Sequence, residues 1–175
     1  MSRQKDGKNK IHPRQPTIQW APEAFIYGRV LVAGDLNATA HGKRDVLVDG
    51  TFVYTDTNDN VVNIGDLLNA GDHTITASFT PDHKNYKNAT ADVIIVVNKS
   101  PVSIAFTNTE NTYGEEITAT ELNAVAHDYY DAVIGGTFEY TYGDNTVISV
   151  GDILDAGDYD VTVSFTPTAS DNYEL

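Results

Sequence analysis

The sequence predicts an all-β protein of two tandem antiparallel sandwiches, and two observations carry the prediction. Residues 65–81, GDLLNAGDHTITASFTP, return as GDILDAGDYDVTVSFTP at 151–167, a shift of 86 positions. No stretch sustains a helical period, whereas short runs rich in Thr, Val and Tyr recur between Gly, Asn and Asp turn signals. A repeat of domain length means two copies of one module, each burying its own core. The register holds without a gap from Ile18/Ile104 to Pro81/Pro167. It carries Tyr27-Gly28 onto Tyr113-Gly114, Leu36-Asn37-Ala38 onto Leu122-Asn123-Ala124, and Gly50-Thr51-Phe52 onto Gly136-Thr137-Phe138.

The elements follow in order. Residues 1–15 are polar, basic and aperiodic, the composition of an arm rather than of a packed element. Thr17 to Trp20 alternates and suits a first strand, with Ile18 and Trp20 inward. Val30-Leu31-Val32 and residues 36–40 read as short extended runs around Gly34-Asp35. A strand beginning at Gly50 places Phe52 and Tyr54 on one face. After the turn at residues 58–60, Val61 to Ile64 resumes extended chain. The strand after the turn at residues 69–72 alternates most cleanly, with Ile75, Ala77 and Phe79 on one face; its counterpart has Tyr159, Val161, Val163 and Phe165. Val93 to Val97 is the most β-prone run and closes the first module. The expected core is Ile18, Trp20, Phe52, Tyr54, Leu68, Ile75, Phe79, Val93 and Ile95 in the first copy. In the second it is Ile104, Phe106, Phe138, Tyr140, Leu154, Tyr159, Val161, Val163 and Phe165. The domains are therefore an arm at 1–15 and modules at 16–99 and 100–175, joined by a short junction expected to give a stiff rod.

The pattern YG…LNATA…GTFVYT…LNAGDHTITASFTP…NY…ATADVIIVV resembles the bacterial immunoglobulin-like repeats of large surface proteins. The resemblance covers residues 16–175 and implies a seven-stranded immunoglobulin-like sandwich for each copy. It is specific for fold; modules of this kind occur in adhesins, stalks, secreted enzymes and phage virion proteins alike. The second copy departs from it. Tyr173 is the counterpart of Tyr86 after a one-residue insertion, and the sequence reaches Leu175 where the last strand should begin. Three explanations stand: a chain that continues, disorder of the remainder, or a strand shared by another chain at the open edge.

Charge narrows the function. The formal net charge is −14, but Arg3, Lys5, Lys8, Lys10 and Arg14 of the arm are five of the 11 basic residues, against Asp6 alone. The remainder carries six basic and 24 acidic residues, a net of −18, with no Lys or Arg after Lys99. Such a body repels phosphate backbones and anionic headgroups, which argues against nucleic-acid binding by the domains. No window is apolar enough to span a bilayer, so no membrane insertion is expected, and no apolar stretch follows the N-terminal charges as a secretory signal would require. There is no cysteine.

Candidate sites are few. No nucleophile elbow, P-loop, GxGxxG or HExxH spacing occurs, and His41 and His127 sit at equivalent positions, which suggests a structural place at a strand end. The expectation is no enzyme and no cofactor. Asp56, Asn58 and Asp59, with Asp144 and Asn145 in the second copy, offer oxygen ligands for calcium, but turn geometry accounts for the same residues and no metal is assigned. Tyr129 and Tyr130, between Asp128 and Asp131, form either a contact patch or a loop packed on its own module. The arm is the expected anchor to a protein assembly: capsid, fibre or cell-surface lattice. The leading expectation is a structural protein at the virion surface, a phage decoration or fibre-type component. The alternative is part of a bacterial cell-surface adhesin or stalk, and a third is an accessory module of a secreted enzyme.

Overall fold

The computed structural model describes residues 7–175. The chain is all-β, with 40% of it in strands, and among the described residues helical geometry is confined to two 3₁₀ turns, Lys43–Asp45 and Ser170–Asn172. In order the strands are β1 (Thr17–Gln19), β2 (Phe25–Ile26), β3 (Thr39–His41), β4 (Gly50–Thr55), β5 (Gly71–Pro81) and β6 (Ala89–Asn98). Then follow β7 (Ser100–Pro101), β8 (Ser103–Ala105), β9 (Val125–His127), β10 (Gly136–Tyr142), β11 (Thr146–Ile148), β12 (Val161–Pro167) and β13 (Tyr173–Glu174). Two compact units form. Among the described residues the first takes 7–24, 30–66 and 72–96; the second takes 25–29, 67–71 and 97–175.

In the first unit β1 pairs antiparallel with β3, placing Ile18 beside Ala40. β5 lies between β4 and β6, and the β4–β5 register sets Phe52 beside Phe79 and Tyr54 beside Ala77. The alternation in β5 works as read from the sequence: Ile75, Ala77 and Phe79 are at most 1% exposed. Ile95 of β6 joins them, as do Ala38, Ala40, Val62 and Leu31. Leu31 is not in a strand. Its backbone is held by Asp66 and Gly65, the Leu31 N–H donating to Asp66 O at 2.8 Å and the Gly65 N–H to Leu31 O at 2.9 Å. Gly65, at φ +97°, makes that turn possible. Ile18, Trp20, Phe52, Tyr54, Leu68 and Val93 are half-buried rather than fully enclosed.

The second unit repeats the plan. β8 pairs with β9, Ile104 beside Ala126, and β10 lies between β11 and β12 with Phe138 beside Phe165 and Tyr140 beside Val163. Ala126 of β9 packs with Ile134 and Phe165 of β12, while Ile117, Tyr140 and Ile148 gather a second cluster. Both layers thus bury side chains against each other, as in the β-sandwich class. Ile104 departs from expectation at 41% exposed, although it stands beside Ala126 as the half-buried Ile18 stands beside Ala40. The second unit also includes two parallel pairings: Phe25–Ile26 of β2 with Val97 and Asn98, and Tyr173–Glu174 of β13 with Ser100–Pro101 of β7.

β13 does not replace the expected last strand. Its counterpart in the first unit is the parallel bridge of Tyr86 with Arg14, which precedes β6. Among the described residues, β12 is paired along one edge only.

Candidate functional site

Repeated polar residues are the first place to look for chemistry, and in both copies they serve the backbone. The Tyr54 hydroxyl donates to Leu36 O at 3.0 Å and accepts the Ala38 N–H at 3.0 Å. Tyr140 does the same with Leu122 O at 2.9 Å and the Ala124 N–H at 3.0 Å. The recurring Leu-Asn-Ala stretch is therefore the segment each tyrosine clasps. Burial raises the Tyr54 pKa above the usual phenol value, with the Ala38 bond opposing. Asp66 Oδ2 accepts the Asn63 N–H at 2.8 Å and Asp152 Oδ2 the Ser149 N–H at 2.8 Å, closing matching turns. Asp35, 5% exposed, accepts the Val32 N–H at 2.8 Å; its counterpart Glu121 accepts the Thr118 N–H at 2.7 Å and hydroxyl at 2.6 Å. Those Thr118 bonds hold the Glu121 carboxyl below its ordinary pKa.

The calcium candidates lie in two turns. Asp56 Oδ1 accepts the N–H groups of Asn58 and Asn60 at 2.8 and 2.9 Å, and Oδ2 accepts Asn60 Nδ2 at 2.9 Å. Both carboxylate oxygens serve the turn, and these bonds, the Asn60 side chain first, lower the Asp56 pKa. Asp59 takes φ +62° and Asn145 φ +63°, the left-handed geometry these residue types tolerate. Asp144 and Asn145 lie between β10 and β11, with Tyr142 standing where the first copy has Asp56. Among the described residues no group of three or more His, Asp or Glu is placed to hold a metal ion. His41 and His127 end β3 and β9; His41 Nδ1 lies 2.8 Å from Asp45 Oδ1 and its Nε2 2.9 Å from the Thr39 hydroxyl.

Tyr129 and Tyr130 belong to an aromatic cluster within the second unit. They meet edge to face at 5.1 Å and are 58% and 43% exposed. Their loop is fixed from below. Asp128, 9% exposed, accepts the N–H groups of Tyr130 and Ala132 at 2.9 Å each, and the fully buried Ser100 Oγ accepts the Tyr129 N–H at 2.9 Å. Residues 25–29, from the first sequence copy, complete the group: Tyr27 stands edge to face with Tyr173 at 5.6 Å, and the Arg29 guanidinium lies 3.7 Å over the Phe25 ring. Burial raises the Tyr173 pKa, with Tyr27 and Asp128 adding to the effect.

Of the basic arm, Arg3 and Lys5 lie outside the described residues. Lys8 and Lys10 are exposed. Ile11 between them and the first strand is 92% exposed. Arg14 is where the arm meets the first unit. Its N–H donates to Asn85 O at 2.8 Å and its carbonyl accepts the Lys87 N–H at 2.9 Å, while its side chain remains exposed.

Among the described residues no helix is long and apolar enough to cross a membrane. No protein-family model matches the chain, and no curated protein or solved structure matches it significantly.

Proposed function

We propose that the chain is a non-enzymatic structural protein of immunoglobulin-like modules, a virion decoration or fibre-type component anchored by its basic arm. The observation that carries this reading is the division of charge around Arg14. Lys8 and Lys10 stand exposed ahead of the point where the backbone joins the first unit, and 24 of the 25 carboxylates follow it. An acidic protein lattice attracts the arm and repels the body, so the modules project outward. Screening confines that attraction to about 8–10 Å at physiological salt, which suits contact by a short arm. The use of the repeated tyrosines and carboxylates in clasps and turns supports a scaffold in place of a catalyst.

A module of a bacterial cell-surface adhesin or stalk is the second reading, favoured by the tandem copies themselves. Co-sedimentation with virus particles propagated in the source strain separates the two. The full chain should pellet with particles at low salt and be released as salt rises. Absence from particles, with recovery on cells of the strain, would favour the second reading.

A further inference from the structure

Three segments of the first unit meet around Tyr86. Arg14 bridges Tyr86 in parallel, its N–H donating to Asn85 O at 2.8 Å and its carbonyl accepting the Lys87 N–H at 2.9 Å. The Tyr86 ring lies so close over Gly42 that a Cβ there would come within 2.6 Å of the hydroxyl. The turn Lys43–Asp45 follows directly. This loop cluster gathers Arg14, Lys43, Arg44, Lys84 and Lys87, all of them exposed. Among the described residues none of the five makes an ion pair. The same segments carry three carboxylates, Asp45, Asp49 and Asp82, and His41 engages Asp45 at 2.8 Å. Outside the cluster and residues 1–13 the chain has two basic residues, Arg29 and Lys99, against 21 acidic ones.

The second unit shows how the same place in the module is used when it is covered. Ser100 and Tyr173 hold the positions of Arg14 and Tyr86 and pair in the same parallel manner. Residues 25–29 and 67–71, which belong to that unit, close over them. Tyr27 stands edge to face with Tyr173, Asn172 Oδ1 accepts the Ala70 N–H at 2.8 Å, and a Cβ on Gly28 would lie 2.9 Å from Asp128 Oδ2. Ser100 and Asn172 are 0% and 7% exposed, whereas their counterparts Arg14 and Asn85 are exposed. The residue types change with the surroundings. Lys43 and Arg44 stand where the second copy has Tyr129 and Tyr130, and Lys84 and Lys87 where it has Asp171 and Glu174. Residues 7–12 lead into Arg14 without a strand, whereas 93–98 lead into Ser100 as part of β6. The first copy thus keeps the geometry of a contact surface and replaces its tyrosines and carboxylates with cations.

We propose that the loop cluster around Tyr86 is a docking surface for an acidic, partly apolar face of a partner protein. The inference rests on the anchoring reading above: the arm supplies most of the attraction, and the cluster fixes where the first unit lands. Charge selects the sign of the partner, since five cations lie together on an otherwise acidic chain. Apolar neighbours select a protein over a phosphate backbone. Val46 and Leu47 are 59% and 64% exposed directly beside the turn, and the Val46 carbonyl accepts the Gly42 N–H at 2.7 Å. A phosphate backbone offers such side chains no contact, while the core of a protein interface buries them. The turn is held in a fixed shape: Arg44 and Asp45 both take φ +61°, a costly geometry for a long side chain such as Arg44. Asp131 repeats it in the second copy at φ +64°, but Tyr130, the counterpart of Arg44, does not.

The probe is a synthetic peptide of repeated Glu-Glu-Leu, titrated into the full chain and read by amide chemical shifts. Shifts should centre on residues 14, 42–47 and 83–87 as well as on the arm, and leave 120–175 unmoved. An all-glutamate peptide of the same length and a single-stranded oligonucleotide should each bind at least about threefold more weakly, since neither places an aliphatic group against Val46 and Leu47. The combined variant Lys43→Gln, Arg44→Gln, Lys84→Gln and Lys87→Gln changes exposed side chains only. It should bind the Glu-Glu-Leu peptide at least about fivefold more weakly and lose the shifts at 42–47 and 83–87, while those at 8–12 persist. Shifts confined to the arm overturn the proposal and leave the anchoring reading standing, as does unchanged binding by the variant. Absence of the chain from particles, with the cluster still shifting, removes the virion setting and keeps the surface. Equal or tighter binding of the oligonucleotide also overturns the proposal, because a nucleic acid would then be the partner.

Discussion

The Tyr54 hydroxyl takes the N–H of Ala38 at 3.0 Å, and 86 positions later Tyr140 takes that of Ala124 at the same distance. Each tyrosine thereby fastens an irregular segment to the sheet strand that carries it, β4 in one unit and β10 in the other. Trp20 closes on Tyr54 edge to face at 5.1 Å, and the Phe106 ring lies tilted against Tyr140 at 5.7 Å. Tyr54→Phe keeps the ring contacts but leaves the Ala38 N–H without its acceptor, so it should cost about 1–3 kcal/mol. Tyr140→Phe should do the same in the second unit. Urea denaturation of each variant checks this, and an unchanged midpoint would mean water replaces the hydroxyl without loss.

The same hydroxyl predicts an alkaline limit. Burial raises the folded-state pKa of Tyr54 above 10.0, so above that pH the unfolded chain loses its proton first. The contribution is fully present below pH 10 and declines as pH rises toward the folded value. Thermal melts between pH 8 and 11 should show a decline that is shallower in Tyr54→Phe.

Gly50 and Gly136 are required by what lies over them. A Cβ on Gly50 would sit 2.3 Å from Thr80 O and 2.6 Å from the Phe79 ring; on Gly136, 2.4 Å from Thr166 O and 2.5 Å from the Phe165 ring. The carbonyls belong to paired strands and cannot withdraw. Either glycine to alanine should therefore destabilise its unit by about 1–3 kcal/mol. Calorimetry of the two variants, read against the parent, tests whether each change lowers its own transition.

These glycines and tyrosines show what the sequence could and could not convey. The 86-residue shift marked Gly50, Tyr54 and the Leu-Asn-Ala stretch as positions of interest, and alternation alone placed Ile75, Ala77 and Phe79 inward. That Tyr54 reaches back 16 residues to Ala38 is a tertiary fact without a periodic signature. Leu31, fully buried, was hidden for a related reason: it lies outside any strand and is held by Gly65 and Asp66, far along the chain. Ile104 misled in the other direction, since alternation reports which side chains share a face and not whether another layer covers it. The turn role of Asp56 was legible from its residue type, whereas the enclosure of Asp128 and Ser100 depended on residues that meet only in the fold.

The unpaired edge of β12 should also be visible in the chain by itself. Ile75, Ala77 and Phe79 lie on a strand flanked on both sides, and Val161, Val163 and Phe165 on a strand flanked on one. Amides opening by local fluctuation exchange faster where fewer neighbours hold them. Exchange at 161–165 should outpace that at 75–79 by at least about tenfold under native conditions. Equal rates would show that β12 is protected by something other than a neighbouring strand.

The arm can be separated from the fold at a defined residue. Arg14 contributes two backbone hydrogen bonds to residues 85–87, and its bridge to Tyr86 places that ring against Gly42, where a Cβ would come within 2.6 Å of the hydroxyl. Residues 7–12, by contrast, are exposed throughout. Removing residues 1–12 should leave the melting temperature of the first unit within about 1 °C, because the exposed residues 7–12 contribute no packed side chain. Removing 1–15 strips the Asn85 and Lys87 partners and should lower it by several degrees, at about 0.5–1.5 kcal/mol per backbone bond. Both truncations should lose most of the salt-sensitive attachment to an acidic lattice, since Arg3, Lys5, Lys8 and Lys10 are absent from each and Arg14 remains only in the shorter deletion. If the chain lacking 1–12 still attaches at full stoichiometry, the anchor lies in the body and the charge division does not govern attachment.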